Sequence, residues 1–200
     1  MPRHKEYERD EVLDRALEVF WEKGYEATTV QDLVEGMGIN RFSLYDSFGS
    51  KRELFFLALD RYVEVRLSPA FHVLEEAEEP LAGVRRFVRG YVDLLVNSNH
   101  RGCLLANSAV EVRVVGDDVA GHTCLALVAI EHAVQGALER ARDQGVLRQG
   151  VDPALAAPTV WASLMGLSSL CRAGMGPDRL ERSAEVLIGL LKESLEPRIP

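Results

Sequence analysis

The amino-acid sequence predicts an all-α protein of about nine helices: three short helices, then a larger helical bundle. Three observations point there. No Asn-Gly or Asp-Gly turn separates alternating apolar runs, so hairpin signals are missing. Apolar residues recur instead at helical spacing along the chain. With 200 residues, 47% hydrophobic and 27% charged, the chain can bury a sizeable core and is too apolar for a disordered one.

Each element has a local cause. Asp10 to Lys23 carries Val12, Leu13, Ala16, Leu17 and Phe20 on one side and the charged residues Asp14, Arg15, Glu18 and Glu22 on the other, and Gly24 stops it. Thr28-x-x-Gln31 fits a capping box for a second helix ending near Glu35, with Gly36 and Gly38 in the following turn. Asn40 caps a third, short helix through Phe48. Ser50-x-x-Glu53 is another capping box, and its helix runs through Val65 until Pro69 limits it. Glu75 to Pro80 is a charged break. An amphipathic helix follows over Leu81–Val96, then a short, mostly apolar one over Cys103–Val114 and a long one, ~40 Å, over Asp117–Gln144. Asp152-Pro153 opens an apolar helix to Arg172, with Pro158 as a kink point. Asp178–Leu195 closes the chain.

Composition excludes several classes. A net charge of -8 does not suit a protein that coats nucleic acid, so any DNA contact must be a small oriented surface. The 151–171 stretch contains prolines, serines and a threonine, and is expected to be a buried helix rather than a membrane span. Met1 to Asp14 is heavily charged, unlike a signal peptide. Three scattered cysteines form neither a disulfide framework nor a zinc motif; free thiols in a reducing cytoplasm are expected. No nucleophile elbow, P-loop, HExxH or CxxC is present, so neither an enzyme, a metal nor a cofactor is expected.

Residues 28–48, TTVQDLVEGMGINRFSLYDSF, have helix-turn-helix shape. Gly38 supplies a left-handed turn. The helix after it offers Arg41, Ser43, Tyr45 and Asp46, with Leu44 and Phe48 as anchors. Over residues 36–52, Arg41, Lys51 and Arg52 stand against Asp46 alone, so the segment is +2 within an acidic domain. From Val12 to Phe55 the sequence resembles the TetR family of tetracycline-repressor-like transcriptional regulators. The most specific strings are Gly38-Ile39-Asn40, Leu44-Tyr45 and Phe48-Gly49-Ser50-Lys51. The resemblance implies a DNA-binding domain over residues 1–50 and a ligand-binding and dimerisation domain over 51–200. It implies phosphate contacts from Thr29, Tyr45 and Lys51, and base contacts from Arg41, Phe42 and Ser43 next to Asn40. Phe42 and Asp46 depart from the family pattern, so an operator sequence cannot be borrowed.

A homodimer is expected from surplus apolar surface. Leu180, Ala184, Leu187, Ile188 and Leu191 form a wide stripe, and the preceding helix carries the small residues Ala162 and Gly166. An effector pocket is expected from Phe87, Tyr91, Leu95, Cys103, Asn107, Glu111, Val128, Trp161 and Met165, which combine apolar walls with a few polar groups. In a dry core Asn107 and Glu111 would have to pair with each other or with a cation such as Arg113. Cys103 at a helix start beside Arg101 is expected to be a partly exposed, activated thiol, and Cys124 and Cys171 core residues. The string GCLLANSAVE is similar to a subset of TetR-like regulators in which this helix lines the effector site. The expectation is therefore a ligand-responsive repressor released from a palindromic operator by a small apolar or electrophilic effector. The rival is an all-helical enzyme or carrier that uses the same apolar interior.

Overall fold

A computed structural model describes residues 3–115 and 117–197 of the chain, with side chains described over 9–111 and 121–197. Every regular element among them is helical: α1 (Arg3–Lys23), α2 (Val30–Met37), α3 (Arg41–Phe48), α4 (Lys51–Tyr62), α5 (Ser68–Glu76), α6 (Pro80–Val96), α7 (Leu104–Val115), α8 (Asp117–Asp143), α9 (Pro153–Arg172) and α10 (Pro177–Leu195). A π-helical segment, Val63–Leu67, follows α4 and runs directly into α5; with these three counted as one stretch of helix, the described residues hold nine helices. Pro69 therefore does not end this helix. The wider turn ahead of it accommodates a residue that lacks an N–H, and the proline sits in the first turn of α5.

The chain divides into two compact units. The first is Met1–Val65 with Leu104–Leu125, the second Arg66–Cys103 with Ala126–Pro200. The first unit thus keeps the whole of α4, because α4 lies along α1, and the expected boundary at residue 50 falls just before this helix.

In the first unit α1 packs on α2 and α4, and α3 bridges α2 and α4. Its core holds Ala16, Leu17, Phe20, Trp21, Leu33, Leu44, Leu54, Phe55 and Tyr62. Phe20 meets Phe55 edge-on, with ring centroids 4.9 Å apart, and Trp21 meets Tyr62 in the same way at 5.2 Å. Arg61 forks onto Asp14, at 2.8 Å from Nε, and so ties α4 to α1. Asp14 and Glu64 raise the already high pKa of that guanidinium, Asp14 most.

In the second unit α6 is central, against α5, α9 and α10. Its inner face buries Val84, Phe87, Val88, Tyr91, Val92 and Leu95. Arg85 pairs with Glu196, and the Arg140 guanidinium donates to the Leu74 carbonyl. Among the described residues α9 alone is long and apolar enough to cross a membrane, with a mean hydropathy of 1.4. One side of it, including Val160, Trp161, Leu164 and Cys171, is buried in the unit. Asp152 caps α9, its carboxylate accepting from the Ala154 N–H at 3.0 Å.

Candidate functional site

The helix-turn-helix is built by local bonds. The cap of α2 is Thr29, one residue later than the sequence suggests. Its hydroxyl oxygen accepts from the Asp32 N–H at 3.1 Å, and the Asp32 carboxylate accepts from the Thr29 N–H at 2.8 Å. Thr28 is instead buried and donates its hydroxyl to the Gly24 carbonyl at 2.6 Å. A carboxylate three residues on is the stronger reciprocal acceptor, so Asp32 replaces Gln31 in the box. The helix continues past Glu35 to Met37, and Gly36 lies within it because a Cβ there would collide with Val19 on α1. Gly38 then turns left-handed at φ 69°, its N–H bonding back to the Val34 carbonyl.

The eight residues of α3 start at Asn40, whose side chain accepts from the Ser43 N–H at 2.8 Å. Leu44 and Phe48 are buried and fix the helix; Arg41, Phe42, Tyr45, Asp46 and Ser47 face solvent. Phe42 is 79% exposed, an unusual placement for an aromatic ring. Ser50 and Glu53 form the second capping box, with the Ser50 N–H donating to Glu53 at 2.6 Å. That fixes Lys51 at the first position of α4. Its ammonium lies 4.5 Å over the Tyr25 ring. Burial pushes the Lys51 pKa down, and Glu26, Glu111 and Asp32 pull it back up. All seven residues expected at a DNA surface therefore belong to one unit, and Arg41, Phe42 and Tyr45 share one exposed helix. Thr29 and Asn40 already use their side-chain oxygens as caps.

The residues expected at an effector pocket divide. Phe87, Tyr91 and Trp161 form one buried aromatic cluster in the second unit, Tyr91 and Trp161 meeting edge-on at 5.3 Å. Leu95 and Cys103 are buried in the same unit, and Met165 is half-buried. The Cys103 N–H donates to Ser168 Oγ at 2.8 Å. Tyr91 Oη is buried beside Cys103, Ser168 and Cys171, yet makes no well-formed hydrogen bond with a protein group; neither does Trp161 Nε1. Burial raises the Tyr91 pKa well above its ordinary value, and Cys103 adds to the shift. Val128 is 40% exposed on α8, and Asn107 and Glu111 belong to the first unit. The Glu111 carboxylate accepts from the Tyr25 N–H at 3.1 Å; the Arg113 side chain lies outside the described residues.

Three placements correct the sequence reading. Cys103 is fully buried rather than partly exposed, because within the second unit Ser168 and Tyr91 pack against it. Cys124 is exposed and not a core residue. Leu180 and Ala184 are buried inside their own unit, where α10 lies on α6, while Leu187, Ile188 and Leu191 are half-buried. The outward apolar positions of α10 are Val186 and Leu190, 63% and 55% exposed, and those of α9 are Leu155 and Leu170, beside exposed Ala162 and Gly166. Ser98, Ser168 and Phe71, which also line the second unit's interior, went unread. Ser168 follows Leu164 by one turn of α9, so helical spacing could have placed it; Ser98 lies in the turn after α6, where its hydroxyl donates to the Leu95 carbonyl, and spacing does not reach it.

A short capped helix with an exposed polar face, after a left-handed glycine turn, defines a helix-turn-helix protein. Residues 12–58 match the family model for bacterial regulatory proteins of the tetR family, and residues 80–187 match that for the tetracyclin repressor-like C-terminal domain. The chain is 33% identical to YezE of Bacillus subtilis, an uncharacterized HTH-type transcriptional regulator, over 96% of this chain and 100% of that one. It is 28% identical to the HTH-type transcriptional repressor ComR of Escherichia coli, over 96% and 92%. A cysteine mutant of the TetR family transcriptional regulator CifR, solved with 26 bp double-strand operator DNA, superimposes with a TM-score of 0.83 at 28% identity, over 90% and 94%. This chain belongs to the TetR family of DNA-binding transcriptional regulators and is not an enzyme.

Proposed function

We propose that the protein is a homodimeric repressor that binds a palindromic operator and is released by a small, largely apolar effector. The observation that carries the reading is α3: a capped, anchored helix whose outward face holds Arg41, Phe42 and Tyr45. Arg41 suits a guanine edge, and Phe42 suits a thymine methyl group, which would also take its ring out of water. Tyr45, Lys51 and Thr29 suit phosphates. Asp46 repels phosphate unless it pairs with Arg41 or accepts from a cytosine amino group, so it biases operator choice. ComR is a repressor and CifR has been solved on operator DNA, which supports extending both properties to this chain.

Residues 1–50 are the DNA-reading part in this proposal and 51–200 the regulatory part. The effector enters the Phe87–Tyr91–Trp161 cluster, where the Tyr91 hydroxyl and the Trp161 N–H offer two hydrogen-bonding groups inside apolar walls. Binding there favours a spacing of the two recognition helices that no longer fits successive major grooves, ~34 Å apart. Buried Cys103 favours a reversible effector over an electrophile, since a thiol must be reached before it reacts. Pairing of the exposed α9 and α10 faces into a four-helix interface completes the dimer.

The test is a gel shift with DNA flanking the gene, over a salt series. Lys51→Ala should weaken all sequences alike and lower the salt slope by ~1. Arg41→Ala should cost ~1–3 kcal/mol at particular base pairs only. Equal weakening of operator and random DNA by Arg41→Ala would remove it from base reading, and salt-insensitive binding would favour a carrier.

A further inference from the structure

In the first unit, the turn between α1 and α2 receives a carboxylate from far along the chain. Glu111, on α7, accepts from the Tyr25 N–H at 3.1 Å across 86 residues of sequence. Its other oxygen occupies the space where a side chain at position 24 would begin. Gly24 is therefore needed twice, once for its φ of 81° and once for the close approach of Glu111. The Tyr25 side chain stands on the ring of Phe55, 4.8 Å between centroids, and stacks with Phe20 at 6.3 Å. The Lys51 ammonium lies over the Tyr25 ring, 4.5 Å from its centroid. Lys51 also feels the charges of Glu26, Glu111 and Asp32.

We propose that Glu111 is a positioning residue for DNA binding: by holding the Tyr25 backbone it fixes the ring on which Lys51 rests, and so sets where the Lys51 ammonium meets phosphate. The inference rests on the reading of Lys51 as a phosphate contact. Lys51 is a long flexible side chain with three rotatable donors, so a fixed aromatic platform restricts it to fewer rotamers before DNA arrives. A charged acceptor on a backbone N–H makes one of the stronger hydrogen bonds available to a surface turn. With Glu111 removed, Tyr25 and its ring lose that tether while the unit's buried core residues, Leu33, Leu44 and Phe55 among them, are unchanged.

The experiment is a double-mutant cycle read by operator affinity across a salt series. Wild type, Lys51→Ala, Glu111→Ala and Glu111→Gln are compared, with both Glu111 changes repeated in the Lys51→Ala background. Glu111→Ala should lower operator affinity by about tenfold, with a fall in salt slope approaching the ~1 expected for loss of Lys51 itself. Glu111→Gln keeps a neutral acceptor of the same shape and should lose roughly threefold, since a neutral bond has about half the strength. Neither change should cost anything further once Lys51 is alanine. A loss of equal size in both backgrounds, or an unchanged salt slope, overturns the proposal and leaves Glu111 as a structural tether. Should the alanine variant fail to fold, the glutamine pair decides by the same two criteria, and wild-type affinity and slope in Glu111→Gln count against the proposal. Failure of the underlying reading shows elsewhere: Lys51→Ala alone would then leave both affinity and slope unchanged.

Discussion

Deleting the Asn40 side chain separates capping of the recognition helix from direct contact with DNA. Asn40 sits in extended conformation, φ -83° and ψ 164°, with its side-chain oxygen on the Ser43 N–H. The helix it starts has only eight residues, too few to persist on backbone bonds alone. Leu44 and Phe48 anchor it from below, and the cap holds its first turn. Replacing such a cap with alanine costs ~1 kcal/mol. At fixed protein concentration that lowers Tm by about 2–4 °C for a chain of this size. Where α3 frays locally, the loss of operator affinity is bounded at about fivefold, the factor that ~1 kcal/mol represents in an equilibrium constant. Asn40→Asp keeps the acceptor and should keep Tm, while its charge weakens DNA binding more at low salt than at high salt. Calorimetric melting and fluorescence anisotropy on labelled operator measure the two effects. A loss above tenfold in Asn40→Ala with Tm unchanged would refute capping and place Asn40 on the DNA.

The Asp32 carboxyl is held at about 2, against an ordinary 3.8, first by its hydrogen bond from Lys23 at 2.5 Å and then by the Thr29 N–H and hydroxyl. A depressed native pKa contributes stability above the ordinary value and loses it as pH falls through the native one, here between roughly 4 and 2. An NMR titration should give a midpoint near 2, and Lys23→Met should raise it; an unmoved midpoint would leave Thr29 as the cause. Val186→Glu with Leu190→Glu should give folded monomers in light scattering with weakened operator binding, whereas Leu180→Glu should unfold the second unit because Leu180 is buried. Dimers that survive the double change would put the interface elsewhere. Tyr91→Phe removes a buried hydroxyl that lacks a well-formed protein partner, so the ligand-free protein should melt a few degrees higher while release by effector weakens. A lower Tm would show that the hydroxyl is satisfied and would move the effector site away from it.

The positions of the helices and the shape of the DNA-binding motif were legible in the sequence because their causes are local. Apolar spacing, Asn40, Ser50 with Glu53, Asp152 and Gly38 act within one or two turns of where they stand. Even the slip from Thr28 to Thr29 is local, since two adjacent threonines compete for one cap and only burial of the first decides between them. Tertiary structure decided what each apolar face meets. Periodicity shows that α10 has an apolar side but not that Leu180 and Ala184 turn toward α6 while Val186 and Leu190 turn to solvent; both pairs satisfy a helical repeat. The same holds for the cysteines, where Cys103 is buried and Cys124 exposed although both sit in apolar sequence. The Glu111–Tyr25 bond has no sequence signature at all, because its partners lie 86 residues apart and meet only when α7 is laid against the first unit's other helices. Local chemistry sets where a helix begins and ends; which of its faces is covered, and by what, is set by packing energy shared among elements distant in the chain.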